Sequence, residues 1–286
     1  MALEIKRWPK KNLAAGYHHS VCLQSNGKVL AVGENKYGQC NVSEWRDITS
    51  IAAGSAHTGN SHTVGLQRDR KAVAIGWNKY NQCEVNDWRD IMAIAAGWRR
   101  TVGLHSDGTV VAVGRNNEGQ CNVGDWRDII SVSAGDWHTL GLQRDGKVMA
   151  TGNNRYGQCK VNDWRDIVET VAGYLHSVGL QSNGTVVATG LNKNGQCDVE
   201  NWRDIVTIAA GSNHTIGLKR DGSVVATGRN TEGQCEVSGW SNILAIAAGC
   251  AHTIGLKADG TMSATGRNEE GQCNVNRWKC IKPSNK

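Results

Sequence analysis

His19, His62, His138, His176, His214 and His252 each stand directly before a Thr or Ser in one repeated frame, A-G-x-x-H-T/S. A ring of imidazoles is the first arrangement in this chain that could do chemistry, because imidazole nitrogens are ready zinc ligands. Each His, however, occupies the same place beside a hydroxyl residue. A backbone hydrogen bond between neighbouring units accounts for all six, and no metal is expected. Arg100 breaks the set by taking the histidine's place in its own copy. Ten cysteines form the second candidate group. Seven of them, Cys40, Cys83, Cys121, Cys159, Cys197, Cys235 and Cys273, each follow a Gln in one motif. Seven equivalent sites cannot all pair with one another. They read as small buried residues, which fits a reducing compartment. Cys22 replaces a strand glycine and Cys280 replaces the Asp of a Trp-Arg-Asp motif, and both read as packing residues. Cys250 lies in a variable loop and is the best nucleophile candidate. No base or orienting partner accompanies it by spacing. No phosphate-cradling or dinucleotide motif precedes a helix. The chain is therefore read as non-enzymatic, with no catalytic residues and no cofactor.

The elements behind these residues come from a repeat. The Gln-Cys sites lie 43 residues apart once and 38 apart five times. The long interval arises from "GSAHTGNSHTVGL", where five extra residues between Gly54 and His62 should bulge one loop over 55–61. Each unit offers four short β-type runs. In one copy they are 205–210, 214–218, 223–227 and 235–237. Asp-Gly or Asn-Gly between the second and third runs signals a two-residue hairpin turn, and only Asp69-Arg70 departs from it. The runs are apolar rather than alternating, so both faces of each sheet should be covered. Four-stranded units of constant length suggest blades around an axis. Seven loops and seven Gln-Cys turns give seven blades, in one domain spanning 1–286. The two ends overlap in pattern, since Ile5 to Trp8 and Val275 to Trp278 both match V-x-x-W. A ring closed by its own termini explains that overlap.

The 286 residues carry a net charge of +6 with 39% hydrophobic content, which is globular and only weakly basic. No apolar run is long enough to span a membrane. "MALEIKRWPKK" lacks the apolar stretch of a secretory signal. These features lead to the expectation of a cytoplasmic, monomeric protein without membrane contact.

G-x-x-H-T/S followed by D-G-x-V-x-A-x-G-x-N-x-x-G-Q resembles the repeat of the regulator of chromosome condensation 1 superfamily, over Leu13 to Val275. The resemblance implies an all-β, seven-bladed β-propeller. The compact unit, running from Gln39-Cys40 directly to Val42 and Trp45, is more similar to the β-lactamase inhibitor protein II type than to the longer repeat of the exchange factor. In that type, aromatic residues of the corresponding loops contact the target protein.

The copies supply their own comparison. Constant positions include the turn asparagines Asn35, Asn78, Asn116, Asn154, Asn192, Asn230 and Asn268, which should satisfy backbone groups. The Trp-Arg-Asp series of Trp45, Trp88, Trp126, Trp164 and Trp202 reads as a wedge between blades with local ion pairs. The two residues after each A-A-G vary freely: Tyr17-His18, Trp98-Arg99, Asp136-Trp137, Tyr174-Leu175, Ser212-Asn213 and Cys250-Ala251. A second variable set follows the third run, with Trp77 and Arg115 nearest the aromatic loops, and the pair Arg155-Tyr156 extends it. Clustered aromatics and arginines are the residues of protein-binding hot spots. The candidate partner-binding residues are thus Tyr17, Trp77, Trp98, Arg99, Arg100, Arg115, Asp136, Trp137, Arg155, Tyr156, Tyr174 and Leu175. The expected partner is another protein, held off-centre on one face. Two alternatives stand beside it. One is a guanine nucleotide exchange factor for a small GTPase. The other is nucleic-acid or acidic-surface binding by the basic termini, which carry Lys6, Arg7, Lys10 and Lys11 at one end and Arg277, Lys279, Lys282 and Lys286 at the other.

Overall fold

The computed structural model describes residues 12–54, 60–278 and 280. Their regular structure consists of twenty-one β-strands, arranged as seven antiparallel three-stranded sheets, each in chain order. The sixth sheet comprises Ile205–Ala210, His214–Lys219 and Val224–Gly228, so three of the four expected runs are strands. The fourth is not. Its backbone bonds to itself, with Glu236 N–H donating to Gly233 O at 3.0 Å and Val237 N–H to Cys235 O at 2.8 Å. Those donors are then unavailable for a ladder, and among the described residues the sheets are three-stranded. The hairpin between the second and third strands is longer than two residues. Gly222 adopts φ +82° and donates to Lys219 O. In the second sheet Arg70 takes the same left-handed conformation at φ +65°.

The turn asparagines do what their constancy requires. Asn230 Oδ1 accepts Cys235 N–H at 2.8 Å, and the same bond recurs at Asn35 and Asn268. The adjoining cysteines are half-buried rather than sealed. Their thiols rest on backbone carbonyls, as Cys235 Sγ does on Arg229 O. Burial pushes the thiols up, to about 12 at Cys40, Cys83 and Cys197.

The inner strand of each sheet packs against the inner strand of the next, and the seventh against the first. Where these strands end, backbones touch. A Cβ on Gly54 would lie 2.9 Å from the carbonyl oxygen of Gly97, and one on Gly173 2.7 Å from that of Gly211. The contacts run on to Gly249, which meets Gly16 O. The inner strands surround a channel of about 560 Å3.

The histidines lock neighbouring blades through side-chain hydroxyls rather than through backbone groups. His214 Nε2 meets Thr253 Oγ1 at 3.1 Å, and that hydroxyl donates to Gln234 O at 2.8 Å. A hydroxyl has one proton, so Nε2–H must be the donor and Nδ1 is unprotonated. His252 makes the same lock to Ser20, from the seventh blade to the first, at 3.0 Å. Burial pushes these imidazoles down to about 3 or 4.

The tryptophan wedge is also present. The indole of Trp88 fills the space where Gly103 lacks a side chain. The expected ion pairs within Trp-Arg-Asp are replaced by backbone bonds. Arg127 Nη1 donates to Gly124 O at 2.7 Å and to Trp126 O at 2.8 Å. Asp128 instead takes the left-handed conformation at φ +59°.

At the junction of the seventh and first blades, Val275 and Trp278 are buried in one cluster with Leu13 and Cys22. Cys22 and Cys280, expected only to pack, form a disulfide across 258 residues, with Cα atoms 6.6 Å apart. Equivalence of position holds only among the seven Gln-Cys sites. These two cysteines stand where the other blades carry a glycine, packed against the motif's Trp and Ile, and an exposed aspartate. The reducing-compartment expectation does not extend to this pair. The segment Ile5 to Trp8, most of the basic residues at the termini and most of the enlarged loop lie outside the described residues.

Two outcomes follow. Reducing the protein, or replacing Cys280 by Ser, should lower its melting temperature, because a loop of this length contributes up to about 5 kcal/mol in the chain-entropy account. An unchanged thermal scan under reductant would show that the bridge closes nothing. The histidines predict an acid effect of definite sign. Imidazoles of the unfolded chain titrate near 6.5, and those of the folded chain are lowered. Stability should therefore be full above about pH 6.5 and decline as pH falls towards about 4. Urea midpoints measured across that window should fall less steeply in His214→Gln than in the parent.

Candidate protein-binding site

The end of one blade's third strand lies beside the variable loop of the next. This offset interleaves the two variable sets and builds a stack. The guanidinium carbon of Arg99 sits 4.8 Å from the Trp77 ring centre, 5.4 Å from that of Tyr80 and 4.0 Å from that of Trp98. Arg115 lies 4.9 Å from Trp98 and 4.7 Å from Trp137. The two indoles are 4.6 Å apart and tilted by 56°. The order Trp77, Arg99, Trp98, Arg115, Trp137 alternates aromatic and cation across blades two to four. Each such contact is worth roughly 0.5–2 kcal/mol, more where water is excluded.

Local structure sets this order. In the third blade, strand pairing runs one residue further than in the others, to Gly97 opposite Arg100. Trp98 and Arg99 become the centre of a tight hairpin. Arg99 adopts φ +61°, the only left-handed non-glycine among the described residues that follow each A-A-G. That conformation costs on the order of 1 kcal/mol for a non-glycine. It places the guanidinium beneath Trp77 and Tyr80, where Nη1 reaches the Tyr80 hydroxyl at 3.4 Å.

Arg100 does not belong to the surface. It is fully buried. Its Nε donates to Thr139 Oγ1 at 3.0 Å and so replaces the histidine lock. Its Nη1 donates to Asp136 O at 2.9 Å and its Nη2 to His138 O. Three donors thus grip the neighbouring loop that carries Trp137. Burial lowers Arg100 to about 10, opposed by the nearby Cys121 and by Asp136, which is itself fully buried. The guanidinium stays charged at neutral pH. Arg100 is a positioning residue, and sequence reasoning misplaced it because burial is a tertiary property. Asp136 is likewise out of a partner's reach, and Leu175 and the central Trp98, at 9% and 8% exposed, offer a partner little more than an edge.

The remaining candidates divide. Tyr174 sits beside Trp137 and Asp136 and extends the sector. Arg155 and Tyr156 are exposed at its rim, 5.9 Å apart. Tyr17 stands apart. It stacks on His18 at 3.7 Å and neighbours Cys250 and Arg267 of the seventh blade. Tyr80 was missing from the expected set. Its signal was the Lys79-Tyr80 pair, which only the blade offset carries to Arg99. The Cys250 thiol is pushed up to about 11, chiefly by burial, so it is protonated and unsuited to attack.

The profile of the regulator of chromosome condensation (RCC1) repeat matches residues 11–39, 92–120, 129–158, 167–196, 205–234 and 243–272. The second blade, which carries the enlarged loop, falls between the matches. No curated protein sequence matches the chain. Among solved structures, the fold is similar to Prp20p of Saccharomyces cerevisiae, at 19% identity and TM-score 0.65, covering 82% of this chain and 75% of that one. That structure is described together with its binding to Gsp1p and histones. The ectodomain of the Physcomitrella patens receptor kinase CR4 is similar at 18% identity and TM-score 0.73, over 89% of this chain and 73% of that one. The Arabidopsis thaliana ACR4 ectodomain is similar at 18% identity and TM-score 0.71, over 89% and 96%.

The positioning role of Arg100 has a clean test. Arg100→His restores the residue six sister positions use, so the protein should fold with an unchanged far-ultraviolet spectrum. The near-ultraviolet circular dichroism of the coupled Trp98 and Trp137 should weaken as the 136–138 loop loses two donors. An unaltered tryptophan signal would show that Arg100 fills space and positions nothing.

Proposed function

The chain belongs to the regulator of chromosome condensation (RCC1) repeat family, and from that premise we propose that it is a non-enzymatic propeller that docks a partner protein on the sector of blades two to four. The observation that carries this reading is the alternating stack of Trp77, Arg99, Trp98, Arg115 and Trp137. Tryptophan, tyrosine and arginine dominate binding hot spots, because they combine large contact area with directed donors. The stack is also rigid before any partner arrives, which lowers the entropy lost on docking. The opposite half of the ring lacks it. There Ser212 is buried, Ala251 is small, and Arg229 donates to Thr231 while Arg267 pairs with Glu269. The footprint is therefore off-centre. Docking of this kind would serve an inhibitor, an adaptor or a regulatory partner.

The second reading is an exchange factor acting on a small GTPase, and it rests on family membership alone. One experiment separates the two. Immobilised protein should retain a partner that Trp98→Ala/Trp137→Ala releases, with affinity reduced about a hundredfold or more, as loss of two hot-spot residues implies. Equal retention by both proteins would sink the docking reading. Accelerated nucleotide release from small GTPases would establish the exchange-factor reading instead.

A further inference from the structure

We propose that the docking sector recognises a carboxylate, an Asp or Glu side chain on an exposed acidic segment of the partner, and that Arg115 is the residue that takes it. This inference rests on the protein-docking reading above. It begins with a charge that has no counter-charge. Arg115 enters no ion pair among the described residues. Its Nε and Nη1 are buried and have no hydrogen-bond partner. The Nε1–H of the adjoining Trp98 is buried and unpartnered as well. Buried donors of a cation left without acceptors are costly.

The same position in sister blades shows how this chain ordinarily resolves such a charge. Arg267 stands where Arg115 does, in the seventh blade at the ring junction, and pairs with Glu269. Arg229 donates from its Nε to Thr231 Oγ1 at 2.7 Å. Arg115 has aromatic faces on either side instead, at 4.9 Å and 4.7 Å. A second cation lies across the shared indole, with Arg99 at 4.0 Å from the Trp98 ring centre. The two guanidinium groups repel, and Arg115 is among the groups that lower Arg99. An anion arriving here would relieve the repulsion and give the cation the counter-charge it lacks.

The shape of the opening selects the anion. With Nε and Nη1 sealed, Nη2 is the guanidinium nitrogen left to meet a ligand, and an indole lies on either side of the group. One planar group on an apolar stem fits such a slot, and charge-assisted bonds to arginine are strongest for planar carboxylates. A phosphate dianion draws on several converging donors, which this slot does not present. The indole faces would cover the methylenes of a Glu or the Cβ of an Asp.

The test uses the full chain and three fluorescein-labelled probes: an alternating Gly-Glu peptide, its Gly-Gln counterpart and a Gly-phosphoserine counterpart. The Gly-Glu peptide should bind, quench the tryptophan emission, and weaken as salt is raised. Arg115→Gln should weaken it by about tenfold or more, the loss of one charge-assisted bond. Arg115→Lys should retain part of it. Both variants should fold, because Asn153 and Leu191 occupy the equivalent position in sister blades. Equal binding of the Gly-Glu and Gly-Gln peptides would overturn the proposal. So would binding of the phosphoserine peptide alone, or indifference to Arg115→Gln. A partner that is retained by the parent, lost by Trp98→Ala/Trp137→Ala, and indifferent to both Arg115→Gln and excess Gly-Glu peptide would overturn the carboxylate inference while leaving the docking reading intact.

Discussion

Everything in this molecule depends on how closely seven backbones meet around one axis. Each inner strand ends on a glycine whose Cα rests against the next blade's glycine carbonyl, and a single added Cβ would fall within 3 Å of that oxygen. The contact permits no side chain, so the frame around it is held in copy after copy. It brings the face loops together at one end of the channel. It also sets each histidine within reach of the next blade's hydroxyl. Because every blade leans on its successor, the array is stable only if the last finds the first. Gly249 against Gly16, His252 against Ser20, and Cys280 bonded to Cys22 are three layers of that one junction.

A scaffold so constrained leaves few positions free, and the free ones lie side by side. The two residues after the glycine and the residue leaving the third strand carry no framework duty. The blade offset nevertheless sets them next to each other, one from each neighbouring blade. The chain uses that adjacency in blades two to four to alternate indoles with guanidinium groups. Stacking holds the cations in place without neutralising them, whereas a carboxylate would do both. A surface organised in this way stays rigid, partly apolar and positively charged.

Arg100 shows how far the framework itself can be bent towards that end. It keeps the lock to the neighbouring hydroxyl through Nε and adds two donors to the loop that presents Trp137. The substitution buries a charge, which is costly by itself. Three satisfied donors and a nearby buried Asp136 offset that cost. The third blade therefore departs from its sisters beneath the surface so that the surface above can be fixed.

The sequence by itself determined the repeat, the count of seven, three strands of each blade and the identity of the variable positions. Those features are periodic and local, since turn glycines, apolar runs and capping asparagines act on their own neighbours. It also marked the aromatic and basic half of the ring. The fourth run was mistaken for a strand because its residue types suit one. Its backbone bonds are spent in turns, which composition does not reveal. The fate of Arg100, Asp136 and Leu175, the inclusion of Tyr80, and the pairing of Cys22 with Cys280 were decided only in three dimensions. Each depends on which residues the ring brings together from neighbouring blades. In the case of the disulfide these are the two ends of the chain, and no local pattern encodes that proximity.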